Sequence, residues 1–154
     1  MLRRCLFVLF FSLYFLAGSA AAAETVHVLV LPFEINASQD LSYLRQDIPK
    51  AIQEYLQPEG AIFVALDQDA SDTVAETIRN IQAIRKMGLS TGADSVIWGS
   101  MTRIGNNISL DINMVESMGS APAVSVFEAG TGMENMHSVV KKATEKLARN
   151  LFRR

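Results

Sequence analysis

The chain is poor in reactive side chains. It holds one cysteine, Cys5, among 154 residues. That residue lies in the leader described below, so the rest offers no disulfide, no thiolate metal site and no thiol nucleophile. Histidine is as scarce. His27 and His137 are far apart, and no H-x-x-x-H spacing exists, so a metal site lacks a ligand set. They read as a strand-face and a surface histidine. Charge of one sign is missing too: charged residues make up 19% and the net charge is -2. Nucleic-acid binders ordinarily carry a basic excess, which argues against that class. There is no internal repeat and no Pro/Gly/Ser-rich linker. What the chain does have is 49% hydrophobic residues, which excludes a disordered or low-complexity protein.

The longest apolar run is at the start. Arg3 and Arg4 form a positive region, Leu6 to Ala17 is apolar apart from Ser12, and Gly18 to Ala23 are small residues. This order is that of a secretory signal peptide over 1–23, with cleavage after Ala23. An uncleaved membrane anchor is the competing reading, since the run approaches the ~20 residues of a span. Lipid attachment is not expected, because Ser19 follows Leu16-Ala17-Gly18 where a lipoprotein requires cysteine. Residues 24–154 then form a single domain, expected in the periplasm, with acidic residues in mild excess.

Val26 to Phe33 is apolar on both faces, as in a central strand covered on both sides. Leu41, Leu44, Ile48, Ile52 and Leu56 recur at helical spacing. Pro49 interrupts them, so either the helix kinks there or it starts with Asp47 as its cap. Gly60 closes it. Ala61 to Leu66 is a second strand. Asp67 to Asp72 is an acidic connection, and Val74, Ile78, Ile81 and Ile84/Arg85 trace a second helix ending near Gly88 or Gly92. Ala93 to Thr102 is a third strand, Gly105-Asn106-Asn107 a hairpin turn, and Ile108 to Met114 alternate with polar residues. Val124 to Phe127 is a further strand, and Met136 to Leu151 a final helix. The order β-α-β-α-β-β-β-α predicts an α/β (α+β) fold: one mixed sheet, three parallel strands plus an antiparallel hairpin, with helices packed in layers.

Two stretches carry a resemblance. Val28-Leu29-Val30-Leu31-Pro32-Phe33 resembles the opening strand of the TolB amino-terminal domain, shared with the FlgO and CsgG groups. Gly92-Ala93-Asp94-Ser95-Val96-Ile97-Trp98-Gly99-Ser100 resembles their G-A-D-x-V-I-x-G-x strand. The resemblance covers Val26 to Leu151. It implies a fold similar to anticodon-binding domains, and a non-enzymatic periplasmic domain working by protein contacts.

No residue set points to catalysis, metal or a cofactor. Asp67, Asp69 and Asp72 lack the Gly and Glu of a calcium loop. No G-x-S-x-G elbow exists. Gly130-Thr131-Gly132 reads as a plain turn, although exposed N–H groups there could hold an anion. Met101, Met114 and Met118 are dense around the hairpin. They read as core, or with Trp98 as an adaptable partner-contact surface. Three functions follow. The first is an envelope interaction module contacting envelope proteins through the hairpin and an edge strand, with membrane contact only through partners or a retained leader. The second is a ligand binder or enzyme with its cleft near Glu34 to Asn36, Asp67 and Thr102 to Arg103. The third is a subunit that self-associates by edge pairing.

Overall fold

A computed structural model describes residues 25–66 and 78–152. The expected leader with Ala23, the acidic stretch Asp67 to Asp72 and Val74 lie outside them. Six strands form one sheet: β1 (Val26–Val30), β2 (Glu34–Asn36), β3 (Ala61–Val64), β4 (Ser95–Ile104), β5 (Asn107–Glu116) and β6 (Val124–Thr131). The helices are α1 (Leu44–Leu56), α2 (Ile81–Thr91) and α3 (Met136–Leu151). Strand order is β3-β1-β4-β5-β6, and β2 also pairs with β4. β1 runs parallel to β3 and β4, while β4-β5 and β5-β6 are antiparallel. This is the mixed sheet expected from the sequence.

The first strand is broken where one continuous strand was expected. After β1 the Leu31 N–H still donates to Ile97 O (2.8 Å), but Phe33 N–H leaves the sheet and donates to Arg45 O (3.2 Å). That acceptor is free because of Pro49. A helical N–H at position 49 would have bonded the carbonyl four residues back, and proline has none. The helix therefore runs through Pro49, with Asp47 in its first turn and not at its cap. The orphaned carbonyl is met by the sheet. β2 then resumes pairing with β4, at Glu34↔Ser100 through Asn36↔Thr102.

α1 and α3 pack on one face of the sheet, on Val26, Val28, Ile97, Leu110 and Ile112. α2 packs on the other face, where Ile84 meets Leu29, Leu31, Val96 and Val115. Alternation along β1 thus feeds two cores, and each fully buried aliphatic side chain contributes about 1.5–3 kcal/mol. α2 begins with Asn80, whose side chain accepts from the N–H groups of Gln82 and Ala83, and Ile78 precedes it in a turn. The spacing of Val74 and Ile78 predicts an earlier start; Val74 lies outside the described residues, and Ile78 falls before the Asn80 cap. β6 is longer than expected, reaching Thr131, so Gly130 and Thr131 belong to a strand and not to a turn. Gly132 donates its N–H to Asn106 O (2.7 Å), so that N–H is already engaged within the fold.

Candidate functional site

Register places four rows of side chains across the face of β4, β5 and β6 opposite α1 and α3. They are Trp98–Asn113–Ser125, Ser100–Asp111–Phe127, Thr102–Ser109–Ala129 and Ile104–Asn107–Thr131. Directly opposed residues share a face, so this surface is small, polar and lightly charged. Two apolar side chains stand out on it: Ile104 is 74% exposed and Phe127 is 58% exposed. A shallow depression of about 380 Å³ opens near the hairpin tip, among Thr102, Ile104, Ser109, Ala129 and Thr131. Asn113 Oδ1 accepts from Ser125 Oγ (2.6 Å) on the same face. The hairpin tip is tight: Gly105 takes φ +62° while among the described residues no non-glycine has positive φ, so Asn106 does not, the pattern of a glycine-first two-residue turn.

The four candidate contact residues are split by the sheet. Met101 (fully buried) and Met114 point into the α1/α3 core, so the structure corrects their reading as surface contacts. Their strand positions share the parity of Ile97 and Ile112, the core face. Trp98 is partly buried against the α2-side cluster. Met118, in the loop after β5, is 75% exposed and remains available.

The quoted motifs are explained by packing and hydrogen bonding. Asp94 N–H donates to His27 O (2.7 Å), and Asp94 Oδ2 accepts from His27 N–H (2.8 Å). This ties the start of β4 to β1. His27 Nδ1 also lies 3.5 Å from Asp94 Oδ2. A Cβ at Gly99 would collide with the Asp111 carbonyl and the Phe33 ring. His137 lies on the surface as expected and shares a 2.5 Å hydrogen bond with Tyr55 Oη, joining α3 to α1. Desolvation, then Glu54 and Glu145, raises the Tyr55 pKa.

Sequence reasoning set Arg85 on the apolar stripe of α2 and missed what its side chain does. It is buried in α2, and its guanidinium donates to Glu116 O (2.6 Å), Gly119 O (3.0 Å) and Ala121 O. Arg85 thus clamps the loop that carries Met118. The signal was an arginine at an apolar position of the helical pattern.

At the carboxyl end of β2 a depression of about 240 Å³ is lined by Glu34, Ala37, Gln39, Asp40 and Arg45. Arg103 Nη1 donates to Gln39 Oε1 (2.8 Å) beside it. Hydrogen bonds from the Ser42 side chain and then its backbone hold the Asp40 carboxyl below its ordinary value. These groups cap a turn. No three His, Cys, Asp or Glu among the described residues could hold a metal ion. No helix among them is long and apolar enough to cross a membrane.

No family model and no curated protein matches the chain. Solved structures do match in fold. The lipoprotein GNA1162 from Neisseria meningitidis aligns with TM-score 0.55 and 15% identity, over 82% of this chain and 99% of that one. The LpoB C-terminal domain from Salmonella enterica aligns with TM-score 0.51 and 14% identity, over 78% and 91%. TolB from Acinetobacter baumannii aligns with TM-score 0.53 and 9% identity, over 84% of this chain but only 28% of TolB. The resemblance to TolB read from the two strands is therefore a shared fold: this chain has the architecture found in GNA1162, the LpoB C-terminal domain and part of TolB.

Proposed function

We propose that the protein is an exported, non-enzymatic interaction module of the cell envelope that contacts other envelope proteins. The observation that carries this reading is the exposed face of β4-β5-β6. Ile104 and Phe127 stand out there from a lawn of serine, threonine and asparagine. Apolar anchors on a small polar platform are what a protein partner recognises. The leader pattern supports export to the periplasm, with cleavage after Ala23 and residues 24–154 as one domain. The fold shared with a lipoprotein, LpoB and TolB supports the envelope. Trp98, in the first row of the face, and Met118, in the loop after β5, serve as further contacts.

Two measurements test this. Fractionation with intact-mass analysis should find the chain in the periplasm, beginning at Glu24. Cross-linking in living cells should join it to a defined envelope protein, and substituting Ile104 and Phe127 by serine should remove that adduct. A cytosolic chain, or turnover of a small molecule by the purified protein, would refute the proposal.

A further inference from the structure

β6 is an edge strand, and its pairing parity can be read from the turn that follows it. Gly132 N–H donates to Asn106 O, in the turn one residue before β5, and Asn107 pairs with Thr131. Even-numbered residues of β6 therefore turn their backbone groups toward β5. With the two-residue period of a strand, Ser125, Phe127, Ala129 and Thr131 turn theirs outward. The Thr131 carbonyl is already met by Asn135 Nδ2 (2.6 Å). Ser125, Phe127 and Ala129 remain, with three N–H and three C=O groups in a row. Among the described residues no strand pairs with this side.

Edge strands ordinarily carry a safeguard: proline, lysine, a bulge or very short length. The opposite edge, β3, has only four residues. β6 has eight, with no proline and no lysine. Its one charged residue, Glu128, is bound by Lys146 of α3.

That ion pair also fixes what flanks the edge. His137 meets Tyr55 of α1, so its side of α3 faces α1. Lys146 reaches β6 from the opposite side. Lys142, Lys146 and Arg149 follow at i, i+4 and i+7, one stripe along that far flank. All three are exposed. Glu128 engages Lys146, and among the described residues Lys142 and Arg149 have no carboxylate within ion-pair distance. A cationic ledge therefore overhangs the open edge on one face of the sheet. Phe127 borders it on the other.

We propose that the β6 edge takes up an extended segment of a partner protein as an added strand. The segment carries carboxylates at alternate positions toward Lys142 and Arg149, and apolar side chains at the intervening positions toward Phe127. This rests on the interaction-module reading and names its docking mode. Charge selects this occupant over a second copy. Two β6 strands paired about a two-fold axis would set two cationic ledges side by side, and like charges repel.

The test uses a fluorescent peptide of about eight residues, near the usual strand length, alternating valine and glutamate. The control replaces glutamate with lysine. Anisotropy should show binding of the first peptide only, weakening as salt rises. Lys142→Glu with Arg149→Glu, on the exposed ledge, should weaken binding at least tenfold. Ala129→Pro removes an outward N–H, which an edge strand tolerates, and should weaken it at least tenfold with the circular-dichroism spectrum unchanged. Equal binding of the lysine peptide, undiminished binding by the double variant, or no binding of either peptide would overturn the proposal. Sedimentation showing a wild-type dimer would assign the edge to a second copy and overturn it as well. If the cellular cross-link survives in Ala129→Pro, the docking mode fails and the module reading stands.

Discussion

Replacing Arg85 with methionine keeps much of the side-chain volume and removes the guanidinium. Three hydrogen bonds from a buried cation to the Glu116, Gly119 and Ala121 carbonyls then disappear. Bonds to a charged group contribute about 1.5–3 kcal/mol each in favourable settings. Two terms reduce that sum. The guanidinium gives up hydration when buried, and the loop carbonyls can turn to water once released. The net loss is about 3 kcal/mol, equal to a fall in Tm of roughly 10 °C for a chain of this size. Urea unfolding followed by tyrosine and tryptophan fluorescence measures it. Hydrogen exchange in 117–122 should accelerate beyond the rest of the protein, because the clamp acts on that loop first. A loss under about 1 kcal/mol, or exchange unchanged in the loop, would refute the reasoning. Arg85→Lys keeps the charge but not the planar fork, and should fall between the two.

Gly99→Ala should cost about 1–3 kcal/mol, because the added Cβ meets the Asp111 carbonyl and the Phe33 ring; thermal unfolding reads it. Met101→Ala, at a fully buried position, should cost about 2–5 kcal/mol, whereas Met118→Ser should stay within about 0.5 kcal/mol; a similar cost for both would contradict their assignment to core and surface. Asp40 has its pKa lowered from the ordinary 3.8, so its contribution is present above that value and lost as pH falls through the depressed one. The stability difference between wild type and Asp40→Asn should therefore narrow in acid, measured by urea midpoints across the pH range.

The sheet was legible because its strands obey local rules. Val26 to Val30 is apolar on both sides apart from His27, and Val26 and Val28 pack into one core while Leu29 packs into the other. The alternation from Ile108 to Met114 maps onto one buried and one open face. Met136 to Leu151 matched the final helix from its spacing alone. The break after β1 was not legible, because it depends on Arg45 and Phe33 meeting across the fold to resolve the missing Pro49 N–H. Met101 and Met114 could not be told from Met118 by composition, since burial follows strand parity and parity follows register. Arg85 was hidden for a similar reason: its carbonyl partners lie at the end of β5 and in the loop after it, more than thirty residues away. The ledge beside β6 likewise needs α3 and β6 side by side.

The central claim is that the exposed side of β4-β5-β6 meets an envelope protein. A photo-reactive residue placed at 127, with a control at 45 in the depression beside β2, tests it in living cells. The account predicts one discrete adduct with a periplasmic or membrane-associated protein at 127 and none at 45. Equal labelling at both positions, or adducts with cytosolic proteins only, would contradict it.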